Sequence, residues 1–118
     1  MKLFVCIACI MLVVSAQAGR GTNQSLKCHS GMSINGEGMF EEVTCTAAES
    51  SCQTRISQRG LFTVVHKRCA ATTVCENNLR NNAISCSRDN KVLICHYCCS
   101  TDRCNTLERI PEMESNNA

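Results

Sequence analysis

The most informative part of this 118-residue chain lies near its C-terminal end, where residues 97–105 have the sequence Tyr97-Cys98-Cys99-Ser100-Thr101-Asp102-Arg103-Cys104-Asn105. The three cysteines of this stretch belong to a set of ten that follow residue 18, which are Cys28, Cys45, Cys52, Cys69, Cys75, Cys86, Cys95, Cys98, Cys99 and Cys104. Ten cysteines in about a hundred residues is the density of a disulfide scaffold. We expect crosslinks to supply much of the stability, each contributing about 2–4 kcal/mol, because the chain has few large apolar side chains.

The first 18 residues have the features of a secretory signal peptide. Lys2 precedes an apolar run over residues 3–14, and Ser15-Ala16-Gln17-Ala18 supplies a small-x-small cleavage signal. We therefore expect cleavage after Ala18 and folding in an oxidising compartment, where an even number of cysteines predicts disulfides. The same argument disfavours zinc at Cys95-His96-Tyr97-Cys98, since a zinc site needs reduced thiolates. No cofactor or metal is expected.

The remaining chain is expected to form one small domain over residues 26–105. Residues 19–25 are expected to be a flexible N-terminus, in which Asn23-Gln24-Ser25 is a potential N-glycosylation site. Residues 106–118 are polar, and Pro111 with the terminal Ser-Asn-Asn-Ala favours a disordered tail over a docked helix. This tail lacks the hydrophobic stretch of a lipid-anchor signal, so a secreted protein without a membrane anchor is predicted.

Charge and histidine placement argue against two classes of function. A formal net charge of +2 is too small for a nucleic-acid-binding protein, which concentrates a strong basic excess on one stripe. The three histidines, His29, His66 and His96, lie in different segments beside no evident nucleophile, and a nucleophile needs an adjacent oriented base. We therefore predict that the protein is not an enzyme.

The two longer segments that follow Cys28 and Cys52 each predict a β-hairpin. Each has β-prone ends and a polar, turn-prone middle. In the first, Asn35-Gly36 is a turn signal because both residues tolerate positive φ, and residues 39–44 form the return strand. In the second, residues 54–57 and 61–67 are predicted strands on either side of Gln58-Arg59-Gly60.

The segment between Cys75 and Cys98 predicts a third hairpin. Residues 83–86 and 92–97 are its expected strands, and residues 87–91 form the polar loop between them. Alternation places Leu93, Cys95 and Tyr97 on one face of the last strand. The sequence thus predicts an all-β, disulfide-rich fold in which three hairpin loops extend from a knot-like core of cysteines.

The C-terminal stretch, with its C-C-x-x-D-x-C-N pattern, resembles the ending of the three-finger superfamily, which includes snake toxins and the lymphocyte-antigen-six/urokinase-receptor domains. The spacings Cys45-x6-Cys52 and Cys69-x5-Cys75 and the opening Leu26-Lys27-Cys28 are also similar to that family, so the resemblance covers residues 26–105. It implies a three-finger fold with four core bridges, which are Cys28–Cys52, Cys45–Cys69, Cys75–Cys98 and Cys99–Cys104. The two cysteines left over, Cys86 and Cys95, then pair with each other.

The resemblance also implies a role for Asn105, whose side chain ties the C-terminal loop back to the core in that family. One departure is that the extra bridge of vertebrate surface members usually lies in the first finger, whereas here it falls in the third. This departure weakens any close transfer of function from the receptor-modulating members.

Binding of another protein is the expected function. Disulfide-held hairpin tips lose few degrees of freedom on contact with a partner, and arginine and aromatic side chains are favoured interface anchors. The candidate contact residues lie in the second hairpin and are Arg55, Arg59, Leu61, Phe62 and Lys67. We expect a monomeric signal or modulator that binds an extracellular protein or membrane receptor. Alternatives are a venom-type toxin, a reproductive or courtship factor, and a structural component of a secretion or coat.

Overall fold

The computed structural model describes residues 25–111, which form one antiparallel sheet and one helix. The elements are β1 (Lys27–Ile34), β2 (Glu37–Thr44), β3 (Ser51–Arg59), β4 (Phe62–Ala70), α1 (Thr72–Ser85) and β5 (Leu93–Cys99). The order of strands across the sheet is β2-β1-β4-β3-β5, and every neighbouring pair is antiparallel. The expected signal peptide and the Asn23 site lie outside the described residues. Within that described part, no helix is both long and apolar enough to cross a membrane.

The first two hairpins form where the sequence predicts them. Asn35 and Gly36 connect β1 to β2 with φ values of 52° and 84°, as a two-residue hairpin turn requires. Gly60 takes the first position of the β3–β4 turn with φ 60°, and Leu61 follows it. We call these two turns the first and second hairpin tips. They lie at the same end of the sheet, because Ile34 pairs with Val64 and Arg59 pairs with Phe62.

One face of the sheet, which we call the inner face, carries a small hydrophobic core. Ile56, Val65, Leu93 and Cys95 are buried there together with Ile110, and Leu107 packs against them. The expected disordered tail therefore does not begin at residue 106. Burial of two apolar side chains is worth about 1.5–3 kcal/mol each, which holds residues 107–110 against the sheet. Residues 112–118 lie outside the described part of the chain.

The predicted third hairpin is wrong in its first half, where the chain forms α1 instead of a strand. The segment is rich in asparagine, and its apolar residues Val74, Leu79 and Ile84 are five positions apart, which is not the spacing of one helix face. In the structure these three side chains are exposed at 41%, 42% and 80%. The helix is held by tertiary contacts. Disulfides attach its first turn to Cys98 and the residue after its end to Cys95, and side chains of its last turn bind the edge of β5.

The outer edge of β5 is satisfied by α1 rather than by a sixth strand. The Asn82 side chain accepts a hydrogen bond from the backbone N–H of His96 and donates one to its carbonyl oxygen, both at 2.8 Å. The Ser85 hydroxyl donates to the carbonyl oxygen of Ile94 at 2.8 Å. These contacts cap the backbone groups that an edge strand would otherwise present for aggregation.

Five disulfides crosslink the fold, and they join the pairs that the resemblance implies: Cys28–Cys52, Cys45–Cys69, Cys75–Cys98, Cys86–Cys95 and Cys99–Cys104. Two of them stack, with 3.2 Å between the sulfurs of Cys28 and Cys45. This cluster fills the end of the sheet opposite the hairpin tips. The architecture is therefore a disulfide-rich, mostly antiparallel β-fold with one short helix.

Asn105 closes the knot end of the fold. Its Oδ1 accepts a hydrogen bond from the backbone N–H of His29 at 2.9 Å, and its Nδ2 donates to the carbonyl oxygens of His29 at 2.9 Å and Gln53 at 3.4 Å. The residue is 3% exposed. Its side chain therefore joins the C-terminal loop to β1 and β3.

Candidate functional site

The face of the sheet opposite the core, which we call the outer face, carries exposed side chains on each of the central strands. Side chains alternate between the two faces along each strand, so Arg55, which neighbours the buried Ile56, points outward, and so does His66 beside the buried Val65. The C-terminal segment packs on the inner face through Ile110. The outer face is accordingly left open for contact with another molecule.

Apolar side chains occupy the outer face near the hairpin tips. Met32 and Ile34 of β1 lie beside β4, where Ile34 pairs with Val64, and Phe62 lies two residues before Val64 on the same face. Met32, Ile34 and Phe62 are exposed at 49%, 42% and 50%. Contiguous exposed apolar groups are characteristic of interaction surfaces.

The second hairpin tip extends this apolar surface and adds a guanidinium group. Leu61 is 99% exposed. Arg59 pairs with Phe62 across the hairpin, and among the described residues its side chain makes no hydrogen bond or ion pair. Three of the predicted contact residues, Arg59, Leu61 and Phe62, are thus brought together at one exposed end of the sheet.

The two hairpin tips are tied to each other. The backbone N–H of Asn35 donates to the carbonyl oxygen of Thr63 at 2.8 Å, and the N–H of Thr63 donates to Asn35 Oδ1 at 2.8 Å. This reciprocal pair fixes the first tip against β4. The exposed surface is consequently presented by two hairpins held together at their tips.

Lys67 does not belong to this surface, which corrects the set predicted from the sequence. It shares the inner face with Val65 and is 4% exposed. Its ammonium nitrogen lies 4.2 Å from the centroid of the Phe40 ring. Burial lowers the pKa of Lys67, and the charge of Glu108 acts in the opposite direction. Its role is therefore internal packing under the β1–β2 hairpin.

Arg55 forms the centre of a basic row across three strands of the outer face. It pairs with His66 on β4 and with His96 on β5. Its Nη2 lies 3.3 Å from Nδ1 of His66. Arg68 is the next outer-face residue on β4, where its Nε donates to Gln53 Oε1 at 2.8 Å. We call Arg55, His66, Arg68 and His96 the basic cluster.

His96 is the most constrained member of the basic cluster. Its Nδ1 is buried and has no hydrogen-bond partner among the described residues. Burial lowers the pKa of His96, and the positive charges of Arg55 and Arg68 lower it further. The imidazole is therefore neutral near pH 7, with a buried polar atom that lacks a partner.

Two triplets of cysteine sulfurs lie close enough together to resemble metal-ligand sets. They are Cys28, Cys45 and Cys69, and Cys52, Cys99 and Cys104, with their sulfurs within 4.8 Å of one another. All six residues are in disulfides. A bridged sulfur is not a thiolate ligand, so these triplets follow from the stacking of bridges at the knot end.

A mixed groove of about 560 Å³ lies on the inner side of the hairpin tips. It runs between the tips and the C-terminal segment, with Ser33, Leu61 and Glu108 among its lining residues. Leu61 therefore borders both this groove and the outer face.

Part of the basic cluster follows from the predicted second hairpin, which contains Arg55, His66 and Arg68 and pairs Arg55 with His66. His96 was not predicted to join them, because it meets Arg55 only through the pairing of β3 with β5.

Searches of protein-family models, curated proteins and solved structures find no match to this chain.

Proposed function

We propose that this chain is a secreted, non-enzymatic three-finger protein that recognises another extracellular protein through its second hairpin tip and the adjoining outer face. The observation that carries the proposal is the exposed end of the sheet, where Leu61 and Phe62 lie beside Arg59, whose guanidinium has no partner among the described residues. The membership of the superfamily is supported by the C-C-x-x-D-x-C-N ending, by the five bridges and by the bonds that Asn105 makes.

Rigidity at the exposed end supports recognition as the function. Association costs entropy for every side chain and loop that becomes ordered, and a surface that is already ordered avoids part of this cost. Here the tips are joined by the Asn35–Thr63 hydrogen bonds, and the opposite end is fixed by stacked disulfides. Large apolar contacts at such a surface then contribute to affinity with little loss of chain entropy.

The partner is proposed to be a protein, at a membrane receptor or in the extracellular fluid, and the role is that of a signal or modulator. The apolar residues around Phe62 need a partner that can bury them, which a protein surface provides. A toxin or a reproductive factor would use the same surface, so the site does not separate these roles from one another, and a structural component is distinguished from them by the binding test below.

The proposal is tested by measuring how the oxidised protein, and a variant in which the charge of Arg59 is reversed, bind to the source tissue. Arg59→Glu is expected to weaken saturable binding about tenfold or more, since a truncated or reversed interface arginine costs about 2 kcal/mol. Arg80→Glu is the matched control, because Arg80 is exposed on α1 and makes no hydrogen bond or ion pair among the described residues. Adsorption that does not saturate, or that Arg59→Glu and Arg80→Glu change equally, would indicate a structural component instead.

A further inference from the structure

The basic cluster places two arginines and two histidines on one small area of the outer face. Arg55 has a histidine on each neighbouring strand, and strands lie about 4.8 Å apart, so three basic side chains stand in one row. Arg68 adds a fourth on the side nearer the disulfides.

No acidic residue lies on the outer face of β1, β4, β3 or β5 to balance this charge. The nearest outer-face neighbours of the row are Met32, Gln53, Ser57, Val64 and Ile94. The outer-face acidic residues of β2, Glu37 and Glu41, lie at the edge of the sheet, two strands from β4, and Glu42 of the same strand is on the other face, where it pairs with Arg103. On α1, the charged residues are Glu76 and Arg80, and Glu76 lines a separate groove with Cys98 and Ser100.

The Nδ1 atoms of the two histidines differ in their hydrogen bonding. A guanidinium group only donates, so Nδ1 of His66 is the acceptor in the contact from Arg55. Nδ1 of His96 is buried without any partner among the described residues. An unsatisfied buried polar atom is costly, and because this atom is not accessible, a ligand on the outer face would contact His96 through the rest of its ring.

We propose that Arg55, His66 and His96 form a carboxylate-binding site that takes an acidic side chain of the protein partner. This inference rests on the proposed function and names the chemistry of its partner. A carboxylate over Arg55 accepts from the guanidinium and, once the imidazoles are protonated, from both histidines. The positive row then gains the counter-charge that the sheet itself does not supply.

The surroundings of the cluster favour an acidic protein segment over a sulfated polysaccharide. Toward the tips, the basic row borders Ile34, Val64 and Ile94, of which Ile34 and Ile94 are 42% and 36% exposed. A polysaccharide would leave these apolar groups in water. A peptide with an acidic residue next to apolar ones satisfies both halves of the surface, so the partner is expected to present that combination.

Binding at this site is coupled to protonation. In the unliganded cluster, burial and the charges of Arg55 and Arg68 disfavour the charged form of His96 and lower its pKa, and a bound carboxylate opposes that effect. By linkage, a ligand that raises the pKa of a histidine binds more tightly as the pH falls through that pKa. The affinity should accordingly increase between neutral and mildly acidic pH.

The experiment is an NMR and calorimetric titration of the oxidised protein with the synthetic peptide acetyl-EELFEE-amide, beside the uncharged acetyl-QQLFQQ-amide and a heparin oligosaccharide. We expect the acidic peptide to bind about three- to tenfold more tightly at about pH 5.5 than at about pH 7.5, and the ring protons of His96 to titrate at higher pH when it is bound. Arg55→Gln should weaken binding about fivefold, whereas Arg80→Gln should not.

The double variant His66→Gln/His96→Gln should remove the pH dependence, while the hydrogen bonds from Asn82 to the backbone of His96 are kept. Equal binding of both peptides, binding that does not change with pH, or binding of heparin alone would overturn the proposal. The result does not depend on isolating the natural partner. If natural partner binding is insensitive to Arg59→Glu, the proposed function fails, and the peptide titration still decides the carboxylate site.

Discussion

Replacement of Asn105 by alanine should be among the most damaging single changes outside the disulfides. The side chain satisfies the N–H and carbonyl oxygen of His29 and reaches the carbonyl oxygen of Gln53, and it is 3% exposed. Each satisfied backbone group that loses its partner costs about 1–3 kcal/mol. The bond to Gln53 is the longest at 3.4 Å, so we expect Asn105→Ala to lower the free energy of unfolding by about 3–4 kcal/mol.

The assay is urea unfolding of the oxidised protein followed by far-ultraviolet circular dichroism, with the disulfides intact in both states. Asn90→Ala is the matched control, because Asn90 donates one side-chain hydrogen bond to the carbonyl oxygen of Ile84 on the exposed surface, at 2.7 Å. We expect that control to lose about 1 kcal/mol or less. A loss below about 1 kcal/mol for Asn105→Ala would refute the assigned role of this side chain.

The isosteric variant Asn105→Asp separates hydrogen bonding from packing. Its carboxylate can still accept from the N–H of His29, but its second oxygen faces two carbonyl oxygens where Nδ2 donated. Proximity to these oxygens and burial raise the pKa of the new carboxyl above its unfolded value. The added stability of the protonated form is therefore present below the unfolded pKa and lost as the pH rises through the folded pKa. Asn105→Asp should thus be closest to the native stability in acid, and a stability that does not fall with rising pH would contradict this reasoning.

Three further predictions are read by the unfolding assay, by amide hydrogen exchange and by the pH dependence of unfolding. Gly31→Ala should destabilise by about 2 kcal/mol or more, since Gly31 has φ 144° and an added Cβ would collide with the carbonyl oxygen of Met39; Gly36→Ala, where the space is open, should cost less. Asn82→Ala should speed amide hydrogen exchange at His96, because its N–H loses its only acceptor among the described residues; unchanged exchange would contradict the edge-capping role. The free energy of unfolding should fall as the pH drops below about 6.5, because the pKa of His96 is lowered in the folded state and the unfolded chain takes up that proton first. His96→Gln should weaken this pH dependence. If the variant keeps the full pH dependence of the native chain, groups other than His96 cause it.

Local signals in the sequence were sufficient for the first two hairpins. Asn35-Gly36 and Gly60 supply the positive φ values that the two turns need, and the strands around them alternate with period two. The position of Lys67 was available from the same alternation, because it has the parity of Val65 rather than of His66. Lys67 was wrongly predicted as a contact residue because the basic residues of the second hairpin were grouped together, although neighbouring residues on a strand face opposite sides of the sheet.

Other features depend on contacts that no local pattern records. The helix over Thr72–Ser85 has exposed apolar residues and gains its support from Cys98, Cys95 and the edge of β5. These tertiary contacts stabilise the helix although its sequence has a weak helix propensity. The row that joins His96 to Arg55 likewise requires the strand order β4-β3-β5, which nothing in the spacing of the cysteines determines.

The side on which the C-terminal segment packs decides which face is available for binding. A single sheet has two faces, and a chain with few large apolar residues can cover only one of them well. Leu107 and Ile110 cover the face that carries Ile56 and Val65. The opposite face then keeps its exposed apolar residues and its uncompensated basic row, since no remaining segment of the described chain packs over them. The exposure of the proposed interaction surface is therefore a consequence of how the small core is completed, and a change that detached residues 107–110 would expose a second apolar face in competition with the first.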